Sequence, residues 1–168
     1  MVDIRGVELA FDRGGTGPTF VWGHGLTSSR ASEDDVPLID WPEVRSVADV
    51  IRYDARGHGE SGTAGDRAAY GWDELAVDQL ALWDHLEIDR AVAGGASMGA
   101  ATALHAAVTA PDRVTALVLV IPPTAWETRA GQTDLYLQMA DVVEARGVEP
   151  LIVAGACLLY TSPSPRDP

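Results

Sequence analysis

The pattern that most constrains this 168-residue chain is Gly95-Ala96-Ser97-Met98-Gly99. It follows a β-like run over residues 90–95 and opens a small, apolar, helix-like run over residues 98–110. A strand that turns into a helix this abruptly leaves no room for side chains two positions either side of the serine. They would collide with the neighbouring strand or helix, and glycine removes the collision. The serine is then lifted clear of the sheet, above helical amides that favour developing negative charge. In a chain with 17 glycines such a pattern also arises by chance. Its position between strand and helix gives it meaning. The plain alternative is a glycine-rich turn with an incidental serine.

The surrounding sequence alternates strand and helix signals. Residues 2–5 and 7–12 read as two strands of a hairpin joined at Gly6, and 13–18 as a turn cluster. A short apolar run over 19–22 reads as a buried strand that stops at Gly23. Residues 27–47 are polar and irregular, with one short helix expected near 43–48. A strand is expected over 49–53. Trp72, Ala76, Leu80, Trp83 and Leu86 recur at helical spacing and predict an amphipathic helix over 72–87. Pro111 ends the helix over 98–110. Residues 113–121 form the most strand-like run, expected to be buried on both faces. A further amphipathic helix is expected over 134–146, ending at Gly147. This order predicts an α/β fold: a mostly parallel sheet with an N-terminal antiparallel hairpin and helices on both faces.

Composition excludes several classes. The net charge of −13 argues against a nucleic-acid surface, because phosphates need cations opposite them. No stretch approaches the roughly 20 apolar residues of a membrane-spanning helix. The N-terminus carries no basic-then-apolar signal, so the cytoplasm is the default compartment. All twelve basic residues are arginine, as in a GC-rich bacterial coding sequence. The single cysteine, Cys157, excludes an internal disulfide framework or a cysteine-ligated zinc site. No cofactor or metal is expected.

Two more motifs accompany the first. Gly23-His24-Gly25-Leu26 follows a strand. The backbone amides of Leu26 and of Met98 are the candidate pair to face an oxyanion beside Ser97. His24 reads as a structural histidine that fixes this loop, with a general-base role as the alternative. Asp54-Ala55-Arg56-Gly57-His58-Gly59-Glu60-Ser61 reads as a tight loop whose Asp54 and Arg56 bind the backbone. A catalytic His58 is the alternative there.

With Ala110-Pro111-Asp112-Arg113-Val114, these motifs in this order resemble the α/β-hydrolase fold family over residues 5–155. Within it, the chain is most similar to small bacterial hydrolases: 3-oxoadipate enol-lactonases, carboxylesterases and cofactor-free haloperoxidase-like perhydrolases. The resemblance implies Ser97 as nucleophile, with an acid and then a histidine later in the chain. Ser97 would attack a small-molecule ester or lactone and pass through an acyl-enzyme. Leu26 and Met98 would form the oxyanion hole, supported by Gly23, His24, Gly25, Gly95 and Gly99. Perhydrolysis, acyl transfer or non-catalytic ligand binding on the same fold are the alternatives.

Neither later triad member is found. His85 and His105 fall within expected helices, and Glu127 stands in the expected start of a cap. Trp126, Arg129, Tyr136 and Met139 fall in that cap and are candidates to line a pocket. Residues 157–167 differ from the rest: they hold the one cysteine and no Ala, Gly or Val. They back-translate, codon for codon, to one frame of a transposase-derived sequencing adaptor, so the genuine reading frame is expected to end near Ala156. A natural proline-rich tail is the alternative. The expected organisation is a hydrolase core over 1–121, the start of a helical cap over 122–156 and a non-native tail over 157–168. Such a fragment leaves the 113–121 strand as a flat apolar edge, prone to pairing with another chain. It is also expected to be catalytically inactive.

Overall fold

A computed structural model describes residues 1–35, 37–123 and 133–153. The chain divides into two compact units, Met1–Pro123 and Thr124–Pro168. The first holds β1 (Val2–Ile4), β2 (Val7–Leu9), β3 (Phe11–Gly14), β4 (Thr19–Gly23), α1 (Arg30–Asp35), α2 (Trp41–Arg45), β5 (Asp49–Tyr53), α3 (Trp72–His85), β6 (Ala91–Ala96), α4 (Met98–Thr109) and β7 (Val114–Val120). The described part of the second holds α5 (Thr133–Arg146), closed by Gly147 at φ +76°.

The main sheet has the order β3-β5-β4-β6-β7. β3 runs antiparallel to β5, and the other pairs are parallel. β1 and β2 form a separate antiparallel hairpin. From central β4 the chain moves to β5 on one side, then crosses to β6 on the other. In open α/β sheets such a reversal leaves a crevice beyond the carboxyl ends of the strands.

Period-two alternation serves two cores. Val21, Ile51 and Tyr53 pack with α3 and α4 residues such as Leu82, Trp83 and Ala103. Phe20, Trp22 and Val50 face the other way and pack with Trp41 of α2. Trp22 meets Trp41 edge to face with ring centroids 5.6 Å apart, and the Arg52 guanidinium lies 5.0 Å from the Trp41 ring. Such aromatic pairs add about 0.5–1.5 kcal/mol beyond their buried area.

Four local expectations are corrected. The strand expected over 7–12 divides at Ala10 between two sheets. Ala10 accepts from the Asp54 N–H and donates to Ser61 Oγ, so it bonds loop groups at the division. The polar stretch holds a helix that was not expected, α1. Ser29 and Ser32 cap it reciprocally: each hydroxyl oxygen accepts the other residue's N–H. The helix expected near 43–48 lies instead at Trp41–Arg45, because the Asp40 side chain accepts the Glu43 N–H and starts it early. The 113–121 strand is not buried on both faces: β7 is an edge strand, with Leu117 and Val118 38% and 42% exposed.

Candidate active site

Ser97 lies between β6 and α4 with φ +49° and ψ −106°. A side chain at positive φ is strained, and such residues gather at functional sites. The surroundings hold it there. Its N–H donates to Val120 O of the neighbouring strand at 3.0 Å, and its carbonyl accepts from Ala101 N–H within α4 at 3.0 Å. A Cβ on Gly95 would lie 2.7 Å from the Ala100 nitrogen and closer still to the Gly99 carbonyl. A Cβ on Gly99 would lie 2.9 Å from Gly23 Cα and closer still to its carbonyl. Both glycines are therefore required by backbone contact.

The Gly23–Leu26 loop leaves the end of β4 beside this bend. Gly99 N–H donates to His24 O at 3.0 Å, and Ser28 N–H donates to Gly25 O at 3.1 Å. A Cβ on Gly25 would stand 3.8 Å from Ser97 Cβ. Among the described residues, the N–H groups of Leu26 and Met98 form no hydrogen bond. Met98 opens α4, where the first amides have no partner within the helix.

His24 is 1% exposed. Its Nε2 accepts the Ala55 N–H at 3.0 Å, which puts the ring proton on Nδ1, donated to Gly25 O at 2.8 Å. Both nitrogens are engaged, and burial pushes the imidazole pKa below its ordinary value. His58 stacks obliquely at 5.1 Å and donates from Nδ1 to Arg56 O. His85 closes α3 and His105 lies within α4.

The Asp54–Ser61 loop is tied from below. Burial alone would raise the Asp54 carboxyl. It is outweighed by the N–H groups of Arg30 and Glu60 and by the Arg30 guanidinium, which hold it below the ordinary range. Gly59, at φ +52°, lies so close that a Cβ would come within 2.9 Å of Asp54 Oδ1. Arg56 donates through Nε and Nη2 to both oxygens of Asp78 on α3, and both residues are buried. Arg5 joins the same carboxylate at 3.0 Å. Sequence reasoning did not anticipate Asp78, and nothing in its spacing from Arg56 announces the pair.

Ser97 opens onto a cavity of about 470 Å³, walled by Gly25, Leu26, Glu33, Leu38 and Ile121. Glu33 is a second residue that sequence reasoning missed. It belongs to α1, and burial lifts its carboxyl above the ordinary value. The structure thus brings Ser97, Met98, Leu26 and their supporting glycines together. Trp126 and Arg129 lie outside the described residues. Tyr136 and Met139 lie on α5 in the second unit.

The fold and this bend define an α/β-hydrolase class of protein. A family model described as the alpha/beta hydrolase fold matches residues 18–141. The chain belongs to that family. It is 42% identical over 101 residues to the dihydrolipoyllysine-residue acetyltransferase component of the acetoin cleaving system of Pseudomonas putida, covering 60% of this chain and 26% of that protein. It is 34% identical over 112 residues to 3-oxoadipate enol-lactonase 2 of Acinetobacter baylyi, covering 67% of this chain and 40% of that protein. Among solved structures, a hydrolase from Pseudomonas aeruginosa PA01 superposes with a TM-score of 0.77 at 28% identity, covering 94% of this chain and 59% of that one. The chain spans about a quarter to three-fifths of these relatives' length. Among the described residues, no helix is long and apolar enough to cross a membrane.

Proposed function

We propose that this chain carries the nucleophile and oxyanion half of a serine hydrolase acting on a carboxylic ester or lactone. The observation that carries the reading is the strained Ser97, at the mouth of a cavity and beside two amides that have no hydrogen-bond partner among the described residues. Ser97 Oγ attacks the substrate carbonyl carbon and passes its proton to a base. The carbonyl oxygen takes the negative charge and accepts the Leu26 and Met98 N–H groups. Collapse expels the alcohol, or opens the lactone, and leaves an acyl group on Ser97. Water then attacks the acyl carbon and frees the serine.

Among the described residues, no histidine or carboxylate is hydrogen-bonded to Ser97 Oγ. His24 has no free ring nitrogen and serves as a clamp between β4 and the Asp54 loop. The relatives are longer than the part this chain matches, and we place the base and its acid in that further part. Fold alone does not choose the reaction. The similarity to an acetyltransferase component gives acyl transfer to an alcohol or thiol as the second reading. A pure binding role leaves the strain at Ser97 without a use.

The test is labelling of the full-length protein with a fluorophosphonate probe. Wild type is expected to label on Ser97, and Ser97→Ala to remain unlabelled. Absence of label in wild type, or equal labelling of the variant, overturns the reading. Product analysis with added acceptor separates hydrolysis from transfer.

A further inference from the structure

One ionisable side chain stands in the wall of the Ser97 cavity, and the proposed reaction does not use it. Nine described residues line that cavity, and Glu33 is the single charged type among them. It is 5% exposed. Its two carboxyl oxygens each lie 3.1 Å from Nε1 of Trp22, itself 1% exposed. That indole is a neutral donor. Arg52, which acts on Glu33 through space, gives its hydrogen bonds to Asp12 and Asp34. Among the described residues, no salt bridge reaches Glu33. A buried carboxyl without a paired cation is costly, and a protein of this size has few.

Resting on the hydrolytic reading above, we propose that Glu33 sets the substrate class of this cavity. It admits esters or lactones whose acyl part is uncharged or carries a cationic or N–H donor group, and it rejects those with a carboxylate there. Two carboxylates a few ångströms apart in a water-poor wall cannot both stay ionised, so one of the pair must take up a proton before an anionic acyl group binds, and that uptake weakens its binding at neutral pH. An ammonium or N–H instead meets the acceptor capacity that one indole leaves unfilled. The repulsive element, and not added affinity, supplies the discrimination.

The experiment uses the full-length protein and three p-nitrophenyl esters of matched length. These are the hexanoate, the 6-aminohexanoate and the adipate monoester with its free carboxylate. Wild type is expected to favour the hexanoate over the adipate by at least about tenfold in kcat/KM, with the 6-aminohexanoate not disfavoured. Glu33→Gln keeps an acceptor for the Trp22 N–H and should shrink that ratio by about fivefold or more. Equal use of hexanoate and adipate by wild type, or an unchanged ratio in the variant, overturns the assignment. If the variant does not fold, the wild-type ratio decides alone. Ser97→Ala separates the two readings. Hydrolysis lost in that variant with no charge selectivity in wild type sinks only the role of Glu33. Hydrolysis retained, or no turnover of any ester by wild type, sinks the hydrolytic reading itself.

Discussion

Gly99 and Gly23 meet backbone to backbone, and this contact sets the height of Ser97 above the sheet. A Cβ on Gly99 would stand 2.9 Å from Gly23 Cα, and a Cβ on Gly23 would stand 3.1 Å from Gly99 Cα. The Gly99 N–H continues the contact by donating to His24 O. α4 can therefore begin directly above β4, with Met98 N–H at its first turn bonded to none of the described residues.

Gly99→Ala is expected to destabilise the fold by about 2–4 kcal/mol, because the obstructing atoms are backbone and cannot swing away. Chemical denaturation checks this. A loss below about 0.5 kcal/mol, the scatter of surface substitutions, would show that the two backbones are not in contact.

Asp78 is the buried hub between Arg56 and Arg5. Asp78→Ala should cost about 3–5 kcal/mol, because it strands the Arg56 guanidinium in the interior. The double variant Asp78→Leu with Arg56→Met should recover part of that loss. Equal instability of single and double variants would refute the stranded-charge account.

His24 gives a pH signature. Burial lowers its pKa in the folded state, so the unfolded chain binds the proton more readily. Stability from the neutral ring is complete above about 6.5 and is lost as pH falls from there toward the folded value. Glu33 works in the opposite sense: its raised pKa favours folding at low pH. The readout is therefore the difference in slope between wild type and His24→Gln, measured by thermal melting from pH 7.5 to 5. Parallel slopes would contradict a buried neutral imidazole.

β7 presents an uncharged apolar edge, with Leu117 and Val118 partly open on a strand that, among the described residues, pairs only with β6. The 168-residue chain by itself is expected to self-associate through this edge despite its charge of −13. Light scattering should register larger species, and Val118→Lys should reduce them. A wild-type chain that runs as a monomer and melts in one sharp transition would disprove the prediction.

The same 168-residue chain is expected to hydrolyse p-nitrophenyl acetate at least about a thousandfold more slowly than the full-length protein, since oxyanion donors without base and acid retain only a residue of triad catalysis. Comparable turnover by the two, abolished by Ser97→Ala, would mean that a base lies within this chain.

Sequence by itself determined the bend at Ser97, the β5 strand at Asp49–Tyr53, and the buried β4 strand that stops at Gly23. These rest on features spanning a few residues: glycine where a Cβ cannot fit, a short apolar run where a strand is buried. Tertiary structure decided the rest. It made α1 a wall of the cavity by setting Glu33 against Trp22, broke the N-terminal strand where Ala10 turns to Asp54 and Ser61, and joined Arg56 to Asp78 across 22 positions. Local sterics act on neighbours that the sequence names, whereas a buried charge depends on which distant element packs against it.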